Sequence, residues 1–223
     1  MAADITTGLI AHLRLDETSG TTAHDSTGNG IDAVFLTTPT WSAGRIGGCA
    51  NQINDGLSIG TLQSASEYPS LNTNPWSFAW WQKSSAFTVG PMTAWTNAQD
   101  CNLNWATNGN ITLYTEDDVG VVDVLTADGQ WHHWCLTSDG TYLKFYRDGA
   151  FKGQITSTQP AATIDLDGPG TVGDNLARDD IRIYSRALTA EDVAALAAPA
   201  SGETSSLSPS LTSTLTPPLT GSV

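Results

Sequence analysis

Hydrophobic and polar positions alternate most clearly between Gln130 and Gly153. His132, Trp134 and Leu136 fall on one face of an extended run, and His133, Cys135 and Thr137 on the other. Tyr142 to Arg147 alternates again, and Phe151 to Ile155 follows. Asp139-Gly140 and Asp148-Gly149 separate the three runs. Asp-Gly pairs between alternating runs are hairpin signals, because glycine accepts the positive φ of a tight turn. The pattern predicts a three-stranded meander at the centre of an antiparallel sheet.

Shorter runs surround it. Leu9 to Leu15 alternates and predicts a first strand, while Asp16 to Gly30 is rich in Thr, Ser, Gly and Asp and reads as a loop. Ile31 to Phe35 predicts a short edge strand, with further strands at Ala50 to Ile53 and Leu57 to Gly60. Trp76 to Lys83 is a longer one. Met92 to Trp95, Leu103 to Trp105, Ile111 to Tyr114 and Val121 to Leu125 are short and aromatic. Thr163 to Leu166 and Thr171 to Gly173 lead to a closing strand at Asp180 to Tyr184. Ala190 to Ala198 alone has helical spacing, with Thr189 as cap and Glu191 and Asp192 in the first turn. Many short strands with Gly, Pro and Asn punctuation indicate an all-β sandwich.

Three stretches carry a family resemblance. Trp131-His132-His133, the Asp-Gly turn and Leu143-Lys144-Phe145-Tyr146-Arg147-Asp148-Gly149 resemble the core of laminin-G-like domains in the concanavalin A-like lectin superfamily. Gly8-Leu9-Ile10-Ala11 to Asp16-Glu17, with Asp25-Ser26-Thr27-Gly28-Asn29-Gly30, resembles the opening of that family. Asp180-Ile181-Arg182-Ile183-Tyr184-Ser185-Arg186-Ala187-Leu188 resembles its closing strand. The resemblance runs from about Gly8 to Leu196. It implies an antiparallel jelly-roll β-sandwich over residues 1–198 with closure of the first strand on the last; the short C-terminal helix is read from its spacing, and residues 199–223 lie outside the resemblance as an extended tail. Between Gly173 and Asp180 the chain departs from the family, holding Asp174 to Asp179 where relatives have a longer segment with a Phe-x-Gly element. A ligand loop built there would be trimmed.

The resemblance also implies a calcium site joining the opening loop to the closing strand, with Asp16, Asp25, Asn29 and Asp180 as its ligands. Calcium takes six to eight oxygens, and Asp16 to Asn29 is dense in them. The alternative reading is structural: Asp25-Ser26-Thr27-Gly28 as an Asx-turn and Asp180 as a strand-end hydrogen bonder.

Composition narrows the function. A net charge of −14 and a pI near 4.3 argue against nucleic acid and anionic membrane as partners, since both would repel the chain. The first residues lack the pattern of a signal peptide, and no apolar run approaches the roughly 20 residues of a membrane span. Cys49, Cys101 and Cys135 are odd in number and lack CxxC spacing, so they read as buried free thiols. Glucanases of this fold set carboxylates along one strand as Glu-x-Asp-x-Glu, and that run is absent. Asp165-Leu166-Asp167 has i, i+2 spacing but no following Glu, and Glu116-Asp117-Asp118 is contiguous. Sugar binding would use an aromatic platform beside Asn and Asp, for which Trp95, Trp105 and Tyr114 are the candidates among eight tryptophans.

The tail carries a separate signal. Leu207, Leu211, Leu215 and Leu219 recur every fourth residue, and Pro209, Pro217 and Pro218 oppose a helix. Read with period two, Leu and Pro share one face and Ser and Thr the other. Such a segment is either a low-complexity linker or an extended arm that lays its apolar edge on another subunit.

Together these features predict a non-catalytic laminin-G-like surface module of a larger assembly. A bacteriophage virion protein fits them best, as capsid decoration or tail adhesin on the virion surface. Protein subunits would be its partners through the arm, with a glycan as a further one. The alternatives are a free calcium-dependent carbohydrate-binding protein and a glycan-active enzyme.

Overall fold

The computed structural model describes residues 3–35, 38–52, 75–85, 93–96, 101–106, 108–158, 164–167 and 176–198, with backbone alone at 52, 93–96, 101–102 and 164–167. The predicted strands at Leu57 to Gly60 and Thr171 to Gly173, and the tail leucines Leu207, Leu211, Leu215 and Leu219, lie outside these residues.

The opening part of the chain gives β1 (Leu9–Leu13), β2 (Thr22–Ala23), β3 (Ala33–Val34), β4 (Thr40–Ala43), β5 (Gly48–Gln52) and β6 (Trp76–Ser84). The middle gives β7 (Thr93–Thr96), β8 (Cys101–Trp105), β9 (Asn110–Tyr114) and β10 (Val119–Val124). The meander follows as β11 (Trp131–Ser138), β12 (Tyr142–Arg147) and β13 (Ala150–Thr156), then β14 (Ile164–Asp167), β15 (Leu176–Tyr184) and α1 (Ala190–Ala197). The large sheet runs β13-β12-β11-β6-β15-β5-β4, with β1 also paired to β15; the small sheet runs β10-β9-β8-β7-β14. All pairings named here are antiparallel, and the first strand closes on the last through Leu9↔Tyr184 and Leu13↔Ile181.

Alternation explains the layering. Phe78 and Trp80, Trp134 and Leu136, Leu143 and Phe145, and Ile181 and Ile183 face inward from the large sheet onto Leu103, Trp105, Ile111, Leu113 and Val122 of the small one. Trp134 stacks on Trp80 with ring centroids 6.0 Å apart and meets Trp105 at 5.0 Å, so one indole joins both sheets. The Asp148-Gly149 turn has positive φ at both residues (53° and 77°), the geometry that matches strand twist in a two-residue hairpin.

The outer face of the large sheet is divided in two. At one end Leu188 and the α1 residues Val193 and Leu196 cover Ala79, Cys135, Tyr146 and Tyr184. Thr189 and Asp192 close a reciprocal capping box at the start of the helix. Polar and aromatic side chains hold the other end.

The first strand, predicted over Leu9 to Leu15, ends at Leu13, and two other predicted elements change more. The short strand predicted at Ile31 to Phe35 is reduced to β3, which pairs with β2 rather than edging a large sheet. The closing strand starts at Leu176, four residues before the predicted Asp180. Across the added part and the predicted start, the side chains of Arg178, Asp179 and Asp180 are all buried.

Candidate functional site

The extended closing strand creates the polar end of the large sheet. Along one edge β15 pairs with β5 through Leu176 to Arg178, and then with β1 through Ile181 to Tyr184. A bulge lies at the hand-over, where the register against β6 shifts between Asp179 and Arg182 and Asp180 takes φ 49°. A bulge adds one residue to a strand and re-aims its side chains. Here it gives each of two neighbouring carboxylates a different element to hold.

Asp179 is fully buried. Its Oδ2 accepts the main-chain N–H groups of Arg45 and Ile46, both at 2.7 Å, and so suspends the turn between β4 and β5. That turn is closed by Gly44 N–H donating to the Gly47 carbonyl at 2.8 Å. Gly44 is required: a Cβ there would stand 2.6 Å from Asp179 Oδ2 and collide with the Gly48 carbonyl. Burial pushes the Asp179 carboxyl up to about 7, against the pull of its two backbone bonds and with the push of Asp180 and Asp16.

Asp180 turns to β1. Its Oδ1 lies 2.6 Å from His12 Nε2, and its Oδ2 lies 3.1 Å from Arg182 Nε. Burial raises its pKa, but the His12 bond and the Arg182 charge outweigh burial and hold it below the usual carboxylate range.

Register places three side chains side by side on this outer face. Asp179 of β15 pairs with Trp81 of β6, and Trp81 pairs with His133 of β11. The Trp81 and His133 rings meet edge-on at 5.3 Å, and the Arg45 guanidinium lies 4.9 Å over the Trp81 ring. Burial drives the His133 imidazole down to about 4, so it is neutral at physiological pH. Asp179 Oδ1, Trp81 Nε1 and His133 Nδ1 are buried and find no hydrogen-bond partner among the described residues. The next row holds Ala177, Lys83 and Trp131, with the Lys83 ammonium 5.0 Å from the Trp131 ring.

The four residues implied as calcium ligands do not form one set. Asp25 Oδ1 accepts from His12 N (3.0 Å) and Thr27 N (3.0 Å), while its Oδ2 accepts from Thr27 Oγ1 (2.6 Å) and Ile31 N (3.3 Å). This is the Asx-turn. Asn29 donates Nδ2 to the Ile10 carbonyl at 2.9 Å. Asp16 stands apart, accepting from Gly48 N at 2.6 Å. Among the described residues no group of three or more His, Cys, Asp or Glu side chains is arranged around a metal position. As arranged, both oxygens of Asp25 and both of Asp180 are engaged by N–H or O–H groups, which a calcium ion would have to displace.

The sugar candidates also divide. Trp105 is in the core, tilted against Trp134, and donates Nε1 to the Leu125 carbonyl at 2.8 Å, so packing accounts for it. Tyr114 lies on the outer face of the small sheet and is 39% exposed. It pairs with Asn102 and Val119, Asn102 pairs with Trp95, and Trp95 pairs with Asp165. One cross-strand row of the backbone therefore runs Asp165, Trp95, Asn102, Tyr114, Val119. Sequence reasoning found two of these positions and missed Asn102, whose place depends on register.

Comparison with known proteins places this architecture. A sequence profile of the Concanavalin A-like lectin/glucanases superfamily matches residues 57–194. No curated protein matches the chain in sequence. Domain 4 of AbnA, a GH43 extracellular arabinanase from Geobacillus stearothermophilus solved with arabinotriose, superposes with a TM-score of 0.63 at 24% identity, over 85% of this chain and 98% of that one. The binding domain of Paraclostridial Mosquitocidal Protein 1 gives 0.66 at 13% identity, over 87% of this chain and 52% of that one. Trypanosoma rangeli sialidase in complex with sialic acid gives 0.66 at 17% identity; 87% of this chain covers 33% of it. The chain thus spans about half of the toxin domain and a third of the sialidase, and at these identities the likeness is one of fold.

Proposed function

Because the chain belongs to the Concanavalin A-like lectin/glucanases superfamily, we propose that it is a non-catalytic glycan-binding module whose platform is the outer face of the small sheet. The observation that carries this reading is the row Asp165, Trp95, Asn102, Tyr114 on four adjacent strands. Aromatic residues supply flat apolar area for the C–H face of a sugar, and flanking amide and carboxylate groups supply hydrogen bonds that fix its orientation. The arabinanase domain solved with arabinotriose supports the ligand class.

The test is a glycan array followed by calorimetry on the full chain. Tyr114→Ala and Trp95→Ala should each weaken binding at least tenfold, with the melting temperature of Tyr114→Ala almost unchanged. Binding that survives both substitutions would move the platform elsewhere.

A second reading is display on a larger particle, a bacteriophage virion fitting best, with residues 199–223 as the anchoring arm. It rests on the two-faced alternation around Leu207, Leu211, Leu215 and Leu219. Glycan binding and display are compatible, since an adhesin needs both.

A further inference from the structure

We propose that the small-sheet platform selects neutral sugars that carry a methyl group, as in a 6-deoxy or an N-acetyl sugar: Val119, Val121 and Val124 take the methyl while Tyr114, Thr112 and Asn110 take hydroxyl groups. The inference rests on the glycan reading above and names its class of sugar.

The outer face of β9 and β10 consists of two unlike columns. β9 buries Ile111 and Leu113 in the core, so alternation puts Asn110, Thr112 and Tyr114 outside. On β10 the residues opposite them are Val124, Val121 and Val119, which are 59%, 56% and 58% exposed. Register therefore sets one valine beside each amide or hydroxyl side chain. Adjacent strands lie about 4.8 Å apart, a separation that the substituents of one sugar ring span.

The β10 bulge makes that column uniform. It lies between Val121 and Asp123, and Val122 remains buried in the core. Strict alternation would have sent Asp123 outward and Val124 inward. Instead Asp123 is opposite Ile111 and reaches Arg147 Nη1 at 2.9 Å, and Val124 takes the outward place. β10 is the edge of its sheet, where an outward charge ordinarily opposes association. Here the charge is turned away and a valine stands in its position.

Charge and area select the occupant. Asp117 and Asp118 in the turn before β10 would repel an anionic sugar. A second copy would bring its own net charge of −14. Three valines and a tyrosine also expose far less than the roughly 800 Å² per partner of a stable protein interface. A methyl group on a neutral ring needs only a patch of this size.

The experiment is an NMR titration of the full chain with matched pairs: D-fucose against D-galactose, L-rhamnose against L-mannose, and N-acetylglucosamine against glucose. The first two pairs test the 6-deoxy source of the methyl and the third the N-acetyl source. In at least one pair the methyl-bearing sugar should bind about three- to fivefold tighter. Val119→Thr with Val121→Thr keeps the branched shape, and should bring that ratio close to one without weakening the other member of the pair. Tyr114→Ala should weaken both members. Equal binding within every pair, still lost in Tyr114→Ala, overturns this inference and leaves the platform standing. A ratio that persists in the double threonine variant also overturns it. Binding indifferent to Tyr114→Ala, or no binding of any sugar, removes the platform reading itself. A parent dimer in sedimentation that the threonine variant dissolves would make the valine column an interface between copies, against the proposal.

Discussion

Asp25 and Asp180 hold one residue from its two ends: Asp25 Oδ1 accepts the main-chain N–H of His12 at 3.0 Å, and Asp180 Oδ1 meets His12 Nε2 at 2.6 Å. The opening loop and the closing strand are therefore joined through β1 by hydrogen bonds, at the place where the family resemblance implies a calcium ion. Both carboxyl groups stay below their usual pKa. In Asp25, bonds from Thr27, His12 and Ile31 outweigh the push of burial.

A calcium ion here would have to displace those bonds. A ligand that binds the native state raises the melting temperature with the logarithm of its concentration. The melting temperature of chelator-treated protein should stay flat to millimolar calcium, and Asp25→Ala should lower it with or without calcium. A calcium-dependent rise that Asp25→Ala abolishes would show that the loop rearranges around the ion.

The contrast between what the sequence reveals and what it hides is local against long-range. The meander is legible because two Asp-Gly turns bracket alternating runs. Trp105 is a sugar candidate in the sequence and a core residue in the structure; the alternation of asparagines with Leu103 and Trp105 in Cys101 to Trp105 is the signal that puts the indole with the apolar face. Adjacent Trp80 and Trp81 must likewise face opposite ways in a strand, which puts one indole outside the main core. The row Asp179, Trp81, His133 was hidden, because its members and Arg45 come from four distant parts of the chain and meet through register. The bulge was hidden too, because it exists only in the register of β15 against β6.

Stability against pH should expose the buried row. Asp179 has a folded pKa of about 7 against an ordinary 3.8, so between those values the folded state holds a proton that the unfolded chain has lost. Its contribution falls as pH rises through that window. His133 has a folded pKa of about 4 against 6.5, so there the unfolded chain holds the extra proton and the contribution rises with pH. Each slope approaches about 1.4 kcal/mol per pH unit, and between about pH 4 and 6.5 they oppose each other. Relative to the parent, Asp179→Asn should gain stability as pH rises from 4 to 6.5, and His133→Phe should lose it. Denaturant unfolding at half-unit pH steps measures both; parallel profiles for parent and variants would show that neither group is shifted.

Absence of hydrolysis is the third expectation, and it rests on the missing Glu-x-Asp-x-Glu run. Asp165 and Asp167 are two apart on β14, a separation of about 6.6 Å along a strand, so the pair has to be tested rather than dismissed. Incubation with β-glucans, arabinan and sialylated glycans should release no reducing sugar or free sialic acid above a blank. Turnover that disappears in Asp165→Asn or Asp167→Asn would make the small-sheet row an active site.

The last prediction concerns the tail. Among the described residues, Val193 and Leu196 of α1 are buried against the large sheet, and the two sheets close on each other through Trp134 and Trp105. A chain ending at Ala200 should therefore melt within about 2 °C of the full chain, since loss of nothing in the core costs well under 1 kcal/mol. The leucines alone do not order the arm. Four buried leucines contribute roughly 6–12 kcal/mol, while ordering the backbone from Leu207 to Leu219 costs about 13–26 kcal/mol. The arm orders only where a partner also pairs with its backbone, so docking and ordering should occur together. Deletion after Ala200 should abolish co-sedimentation with particles from the producing culture, and Leu211→Asp with Leu215→Asp should weaken it nearly as much. Full occupancy by the truncated chain would make residues 199–223 a linker, and the contact with the particle would then lie on the sandwich.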